Sequence, residues 1–260
     1  MVESPAKEAL EPQFSPFSIE VTLPSRGRFY GADLPGGKVR VRPMTVAEES
    51  LFGGKGNASQ VAEKILSRCI ESKCIPLKKL LITDKYYLLL TLRSLTYGTD
   101  YAHTIKCQCG KEYVHSLKVP DDLRQKMSTP DDVEPFDVEL PMCKKTVSLR
   151  FLRTEDEEQT EVYLAQLGSV NPDDGDPGYA YRLALHITAV DKKEMALLDR
   201  LHLCESMHGR DSQALRRAIS EKEPGIDLTI NATCPVCRSL TEALLPLTRE
   251  FFRPNVPKGK

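Results

Sequence analysis

The chain has 260 residues, enough for one large domain or two small ones with a buried core. Its 36 lysines and arginines balance 37 aspartates and glutamates, so it lacks the basic excess that is typical of nucleic-acid-binding proteins. No apolar run is long enough to predict a transmembrane helix, which needs about 18 residues. The N-terminus lacks the apolar segment of a signal peptide, so we expect the protein to stay in the compartment where it is made.

The N-terminal part is predicted to start with an arm and a strand–turn–strand unit. Residues 1–16 contain three prolines and are expected to form a flexible arm. Residues 17–23 alternate apolar and polar side chains, the period of a strand, and residues 37–41 form the second strand. The turn between them begins at residues 24–27.

Helices are predicted to follow. Thr45 and Glu48 have the spacing of a capping box, so a helix begins there. Residues 57–72 repeat apolar side chains at helical spacing. A longer helix runs from residue 83 or 84 to residue 97, and Gly98 ends it.

Three hairpins and a group of helices are predicted in the remainder. The hairpins join residues 101–106 to 112–119, residues 136–140 to 146–151, and residues 226–233 to 240–247. The helices lie between the second and third hairpins, at residues 154–168, 178–190, 192–206 and 211–221. The acidic run at residues 155–158 is interpreted as solvated charge at a helix N-terminus.

Two cysteine pairs are the most informative motif of the chain. Cys107 and Cys109 lie in the turn of the first hairpin, and Cys234 and Cys237 lie in the turn of the last one. Eight cysteines in a chain that is not exported favour reduced thiols and metal over disulfides. We predict that the four thiolates hold one structural Zn²⁺. The alternative is two pairs of free surface thiols. Cys69 and Cys204 lie on apolar helix faces and are expected to be core residues.

The fold class is therefore predicted to be α+β, with antiparallel β-hairpins forming a zinc ribbon and a helical insertion between the two cysteine knuckles. A closed four-sulfur site does not catalyse, and the chain lacks phosphate-binding and nucleophile motifs, so we expect no enzyme activity. The predicted units are the arm at 1–16, an N-terminal unit at 17–99, ribbon halves at 100–120 and 226–247, an insertion at 121–225 and a tail at 248–260.

Several segments resemble a known family. They are LPSRGRFYG at residues 23–31, VRVRPMTVAEE at 39–49, LRSLTYG at 92–98 and LPLTREFFRP at 245–254. In this order they are similar to the T-even-type bacteriophage base plate protein family of contractile-tailed phages, and the resemblance covers residues 17–254. The single residue between Cys107 and Cys109 departs from the usual two-residue knuckle spacing.

The resemblance implies a structural or assembly protein of the baseplate hub, located in the virion tail and assembled in the host cytoplasm. It implies other baseplate and tail proteins as partners in an oligomeric assembly. The balanced charge and the lack of a long apolar run predict no nucleic acid and no membrane as partners. Arg26 and Tyr30 are the predicted partner contacts of the N-terminal turn. Phe251 and Phe252 either dock on a partner or pack into the domain's own core.

Two other functions stay open at the level of the sequence. The protein could be a transient assembly chaperone that is absent from the mature particle. It could also be a zinc-ribbon regulator that binds nucleic acid, in which case binding would weaken steeply with added salt.

Overall fold

A computed structural model of the chain describes residues 17–53, 58–71, 75–168 and 175–253. The predicted arm, Cys74 and the end of the tail lie outside these residues. The α-helices are α1 (Val46–Glu49), α2 (Ala58–Cys69), α3 (Ile82–Tyr97), α4 (Thr154–Leu167), α5 (Tyr179–His186), α6 (Leu197–Glu205), α7 (Gly209–Lys222) and α8 (Arg249–Phe252). Single 3-10 turns occupy Pro35–Gly37, Ser50–Gly53 and Leu77–Lys79.

The strands form small antiparallel sheets. They are β1 (Ile19–Thr22), β2 (Lys38–Val41), β3 (Asp100–Lys106), β4 (Glu112–Lys118), β5 (Gln125–Lys126), β6 (Phe136–Glu139), β7 (Thr146–Leu149), β8 (Ile187–Val190), β9 (Lys193–Glu194), β10 (Gly225–Ile226), β11 (Thr229–Thr233) and β12 (Leu240–Leu244). The pairs are β1–β2, β3–β4, β5–β10 and β11–β12, and β6–β7–β8–β9 form the largest sheet. This mixture of helices and antiparallel sheets confirms the predicted α+β class.

Helix α3 lies at the centre of the hydrophobic core. Consecutive residues from Leu88 to Arg93 are all buried, which means that neighbours enclose the helix on several sides. Its first turn is fixed to the C-terminal half of the chain, because the Thr83 hydroxyl donates to the Pro224 carbonyl at 2.7 Å. As predicted, Gly98 ends the helix, and its amide bonds to the Ser94 carbonyl.

The prediction of one helix over residues 178–190 is wrong for its last four residues. Helix α5 stops at His186, and Ile187–Val190 form strand β8, which pairs with β7 and β9. Asp191 and Lys192 have φ values of 48° and 64°, so a two-residue turn follows the strand directly. The β-branched side chains of β8 suit a strand, and a partner strand distant in sequence decides the outcome.

Two residues of the acidic run at the start of α4 bind other side chains of the protein and are not solvated charges. Asp156 is 1 % exposed and accepts two hydrogen bonds of 2.7 Å from the Arg150 guanidinium. Glu157 pairs with the buried Lys85 and accepts a 3.1 Å bond from the Tyr86 hydroxyl. The run therefore connects α4 to the core, and the interpretation is wrong for these two residues.

Candidate metal centre

Two hairpin turns carry the predicted metal ligands. In the first hairpin, β3 and β4 pair up to Lys106 and Glu112, and the Cys107 amide closes the turn by donating to the Lys111 carbonyl at 2.9 Å. In the second, the Cys234 amide closes the turn between β11 and β12 by donating to the Ser239 carbonyl at 2.9 Å. The first cysteine of each pair thus occupies the same position at the end of its strand.

The two turns also agree at the residue after the second cysteine. Gly110 has a φ of 83° and Arg238 a φ of 60°, so both chains turn back through the left-handed region. Glycine adopts this conformation without strain, while Arg238 carries a modest cost. The first turn has one residue between its cysteines and the second has two, yet both reverse the chain through the same backbone conformation.

The four sulfurs converge on one point. Cys107 Sγ lies 3.5 Å from Cys237 Sγ, and Cys109 Sγ lies 3.8 Å from Cys234 Sγ. All four atoms lie within 4.8 Å of one another. In a tetrahedral site with Zn–S bonds of about 2.3 Å, the sulfurs lie about 3.8 Å apart. Within the described residues, this is the one group of three or more His, Cys, Asp or Glu side chains placed to hold a metal ion.

The cluster has unequal thiols. The Ser239 hydroxyl lies 2.9 Å from Cys237 Sγ and 3.3 Å from Cys107 Sγ. Its hydrogen bond and that of the Cys109 backbone lower the pKa of Cys107 to about 5, and the Ser239 hydroxyl also lowers the pKa of Cys237. The Lys111 backbone lowers the pKa of Cys109, but contacts with the neighbouring sulfurs outweigh it and raise that pKa to about 11. Full ionisation of four adjacent thiols requires a cation among them.

Ser239 is a member of the site that the sequence analysis missed. The signal available in the sequence is a small hydroxyl residue two positions after Cys237, at the end of the knuckle. That signal is weak, because serine is common in turns for other reasons.

A known protein family matches most of the chain. The family model described as T4 bacteriophage base plate protein matches residues 17–253. The chain belongs to the T4 bacteriophage base plate protein family. This confirms the resemblance that the sequence motifs indicate. Neither a curated protein nor a solved structure matches the chain.

Family membership gives the general function of this base plate protein. It indicates a structural component of a phage baseplate, with other tail and baseplate proteins as partners and the virion tail as location. Among the described helices, none combines the length and apolar character that crossing a bilayer requires.

The predicted partner contacts of the N-terminal turn lie in different environments. Arg26 is exposed, has a φ of 53° and lines a polar cleft of about 660 Å³. Tyr30 is only 6 % exposed, and its hydroxyl donates to Asp84 in the core. The structure thus gives Tyr30 an internal role. Partner contact at Arg26 and at Tyr30 stays a prediction.

The two phenylalanines of the tail pack inside the protein. Phe251 is 1 % exposed and Phe252 is 6 % exposed. Phe252 stacks on Phe52 at a centroid distance of 5.6 Å, and Phe251 meets the Tyr101 ring at 4.9 Å. This arrangement corresponds to the second of the two interpretations, packing into the domain's own core. Partner contact at these residues stays a prediction.

The cysteines predicted to be core residues are buried. Cys69 is fully buried and Cys204 is 8 % exposed, and burial raises the pKa of each thiol to about 12. Neutral thiols of this kind behave as small apolar side chains. Cys143 is exposed in the turn after β6 and lies outside the four-sulfur cluster.

Proposed function

We propose that the chain is a non-catalytic structural component of the hub of a contractile-tail baseplate, with one Zn²⁺ held by Cys107, Cys109, Cys234 and Cys237. The observation that carries the zinc proposal is the convergence of four sulfurs from two distant turns at tetrahedral spacing. The family match over residues 17–253 supports the placement in a baseplate.

The proposed ion would have a structural task. It would connect the β3–β4 turn to the β11–β12 turn, so that the two hairpins form a zinc ribbon. Both ends of the segment between the hairpins would then be fixed. Four sulfur ligands leave no open position for a water molecule, so such a site stabilises a fold without catalysing a reaction. The binding free energy of structural zinc in small domains is on the order of 10 kcal/mol and is coupled to folding.

Quantitative mass spectrometry of purified particles tests the hub proposal. We expect a fixed copy number of the chain per tail. If the chain is abundant in infected lysate and absent from particles, the transient chaperone is the better description and the search moves to its client.

A nucleic-acid-binding regulator is the third candidate. The near-neutral charge of the chain disfavours it, because phosphate contacts depend on basic side chains. Tight DNA or RNA binding that weakens steeply between 50 and 200 mM salt, the range over which such contacts lose roughly a thousandfold or more, would replace the hub proposal.

A further inference from the structure

The outer strand of the C-terminal hairpin has an open backbone edge. The Cys234 amide bonds to the Ser239 carbonyl, and every second pair from there along the antiparallel register is hydrogen-bonded. The backbone groups of Leu240, Glu242 and Leu244 therefore point away from β11. In the described part of the chain, β12 pairs with β11 alone.

The side chains along this edge are apolar and exposed. Leu240 is 66 % exposed and Leu244 is 70 % exposed, and both lie with Glu242 on the same face of β12. Natural proteins usually protect an edge strand with charges, prolines or a covering element. Two exposed leucines on an open edge are therefore expected where another chain covers the strand.

The edge of β3, the first strand of the other hairpin, differs in composition. By the same register argument, from the bond between the Val119 amide and the Thr99 carbonyl, the outward-facing residues of β3 are those at even positions. They are Asp100, Ala102, Thr104 and Lys106, all exposed. This edge has a charge at each end and no large apolar side chain, so it provides a comparison for the β12 edge.

An apolar groove continues from the β12 edge. Leu244 lines a groove of about 480 Å³ together with Tyr86 and Leu89 of α3 and with Leu247 and Phe252 after the strand. A strand added to β12 would place its side chains beside Leu244 and at the mouth of this groove. Leu244 thus belongs to both the open edge and the groove.

We propose that the β12 edge is a docking site for an extended segment of a different baseplate protein, which adds a strand beside Leu240–Leu244 by β-augmentation. The inference rests on the proposed structural role in the baseplate. Main-chain hydrogen bonds supply much of the affinity in this mode, and alternate side chains supply specificity. The incoming segment carries apolar residues opposite the two leucines and a lysine or arginine opposite Glu242.

The charge of Glu242 distinguishes a different protein from a second copy. Glu242 makes no ion pair with any described residue. Antiparallel pairing of two β12 strands matches both leucines with leucines only when it is centred on Glu242. That register sets the two Glu242 carboxylates opposite each other, and like charges in this position are destabilising.

Site-specific photo-crosslinking during infection tests the proposal with the full chain. Residue 244, or residue 102 on the β3 edge as a comparison, is replaced by p-benzoylphenylalanine, and particles and lysate are analysed by mass spectrometry. We expect position 244 to crosslink to an alternating apolar segment of another baseplate protein, with a yield about tenfold above that from position 102. Glu242→Lys should lower that yield by about tenfold, a difference of about 1.4 kcal/mol. Glu112→Lys, on β4, is the matched control and should leave it unchanged.

Each other outcome overturns the proposal. These outcomes are a crosslink from position 244 to a second copy, equal yields from the two positions, or no crosslink from position 244 in particles that contain the chain. The copy number from the same particles tests the hub function separately. If the chain is absent from particles, the crosslink in lysate still reports on the edge. Thermal melting of each variant separates lost docking from lost folding.

Discussion

Tyr30 and Asp84 join the N-terminal turn to the central helix by a hydrogen bond inside the core. The Tyr30 hydroxyl donates to Asp84 Oδ2 at 2.5 Å and accepts a bond from the Leu81 amide at 2.9 Å. The other Asp84 oxygen accepts a bond of 3.1 Å from the Ser25 amide. Burial raises the pKa of both Asp84 and Tyr30, so ionisation of either group is disfavoured in the folded protein.

Replacing Tyr30 by Phe should lower the free energy of unfolding by about 1–3 kcal/mol, because Asp84 and the Leu81 amide lose a partner where no solvent replaces it. Urea unfolding measures the loss. Tyr97→Phe is the control, since its hydroxyl bonds to Glu49 Oε1 at 2.6 Å in a partly exposed place. We expect a loss below about 1 kcal/mol there. Equal losses in the two variants would contradict this account.

Gly27 occupies a position that excludes a side chain. Its φ is +77°, and an added Cβ would lie 2.0 Å from the Leu34 carbonyl oxygen and 2.6 Å from the Gly37 amide nitrogen. Gly27→Ala should therefore destabilise the fold by about 3 kcal/mol or more. Gly31 has a φ of +56° and nothing within 4 Å of the Cβ position. Gly31→Ala should cost only about 1 kcal/mol, and chemical denaturation of both variants decides whether close approach is the cause.

Two lysines bind neighbouring glutamates of α4 at different depths. The Lys85 side chain is 3 % exposed and pairs with Glu157, whereas the Lys78 side chain is 65 % exposed and pairs with Glu158 at 3.0 Å. Lys85→Ala should lower the unfolding free energy by about 3 kcal/mol, since it leaves Glu157 without its buried partner. Lys78→Ala should change it by less than about 1 kcal/mol. A similar effect of both changes would show that burial does not set the strength of these pairs.

His186 should make stability depend on pH. Burial lowers the pKa of His186 from 6.5 to about 4, and its Nδ1 lies 2.8 Å from the Arg150 carbonyl. Between these values the unfolded chain binds a proton that the folded chain does not, so stability falls as the pH decreases through this range. The loss should be on the order of 1–3 kcal/mol.

Urea unfolding at several pH values tests the histidine. The His186→Gln variant should lack this part of the pH dependence, so the difference from wild type should change between pH 6.5 and 4. A difference from wild type that stays constant over this range would rule out a role for buried His186.

Removing one predicted ligand tests the metal centre. Cys234→Ser should abolish stoichiometric zinc binding and destabilise both hairpins, because three remaining sulfurs leave the site open. Cys143→Ser, at an exposed cysteine outside the cluster, should leave binding unchanged. Zinc content by elemental analysis and competition with a chelator give the stoichiometry and affinity. Tight one-to-one zinc that survives Cys234→Ser would exclude the four-cysteine site.

Local patterns in the sequence were sufficient for most of the elements. The capping box at Thr45 and Glu48, the glycine at the end of α3 and the strand periods around both cysteine pairs are short-range signals. The structure contains each of these features. Strand β8 could not be found in this way, because Ile187–Val190 become a strand through pairing with β7, a segment distant in the chain.

Residue types at fixed short spacings were enough to predict the cysteine knuckles, the α+β class and the family. The burial of four other residues depends on tertiary packing, because their polar or aromatic side chains suit a surface as well as a core: Tyr30, Asp156, Phe251 and Phe252. Burial depends on which distant residues surround a side chain, and no local period encodes that. The convergence of the four sulfurs also depends on residues that are distant in the chain. Spacing predicted each pair, and folding of the intervening chain brought the two pairs within 4.8 Å.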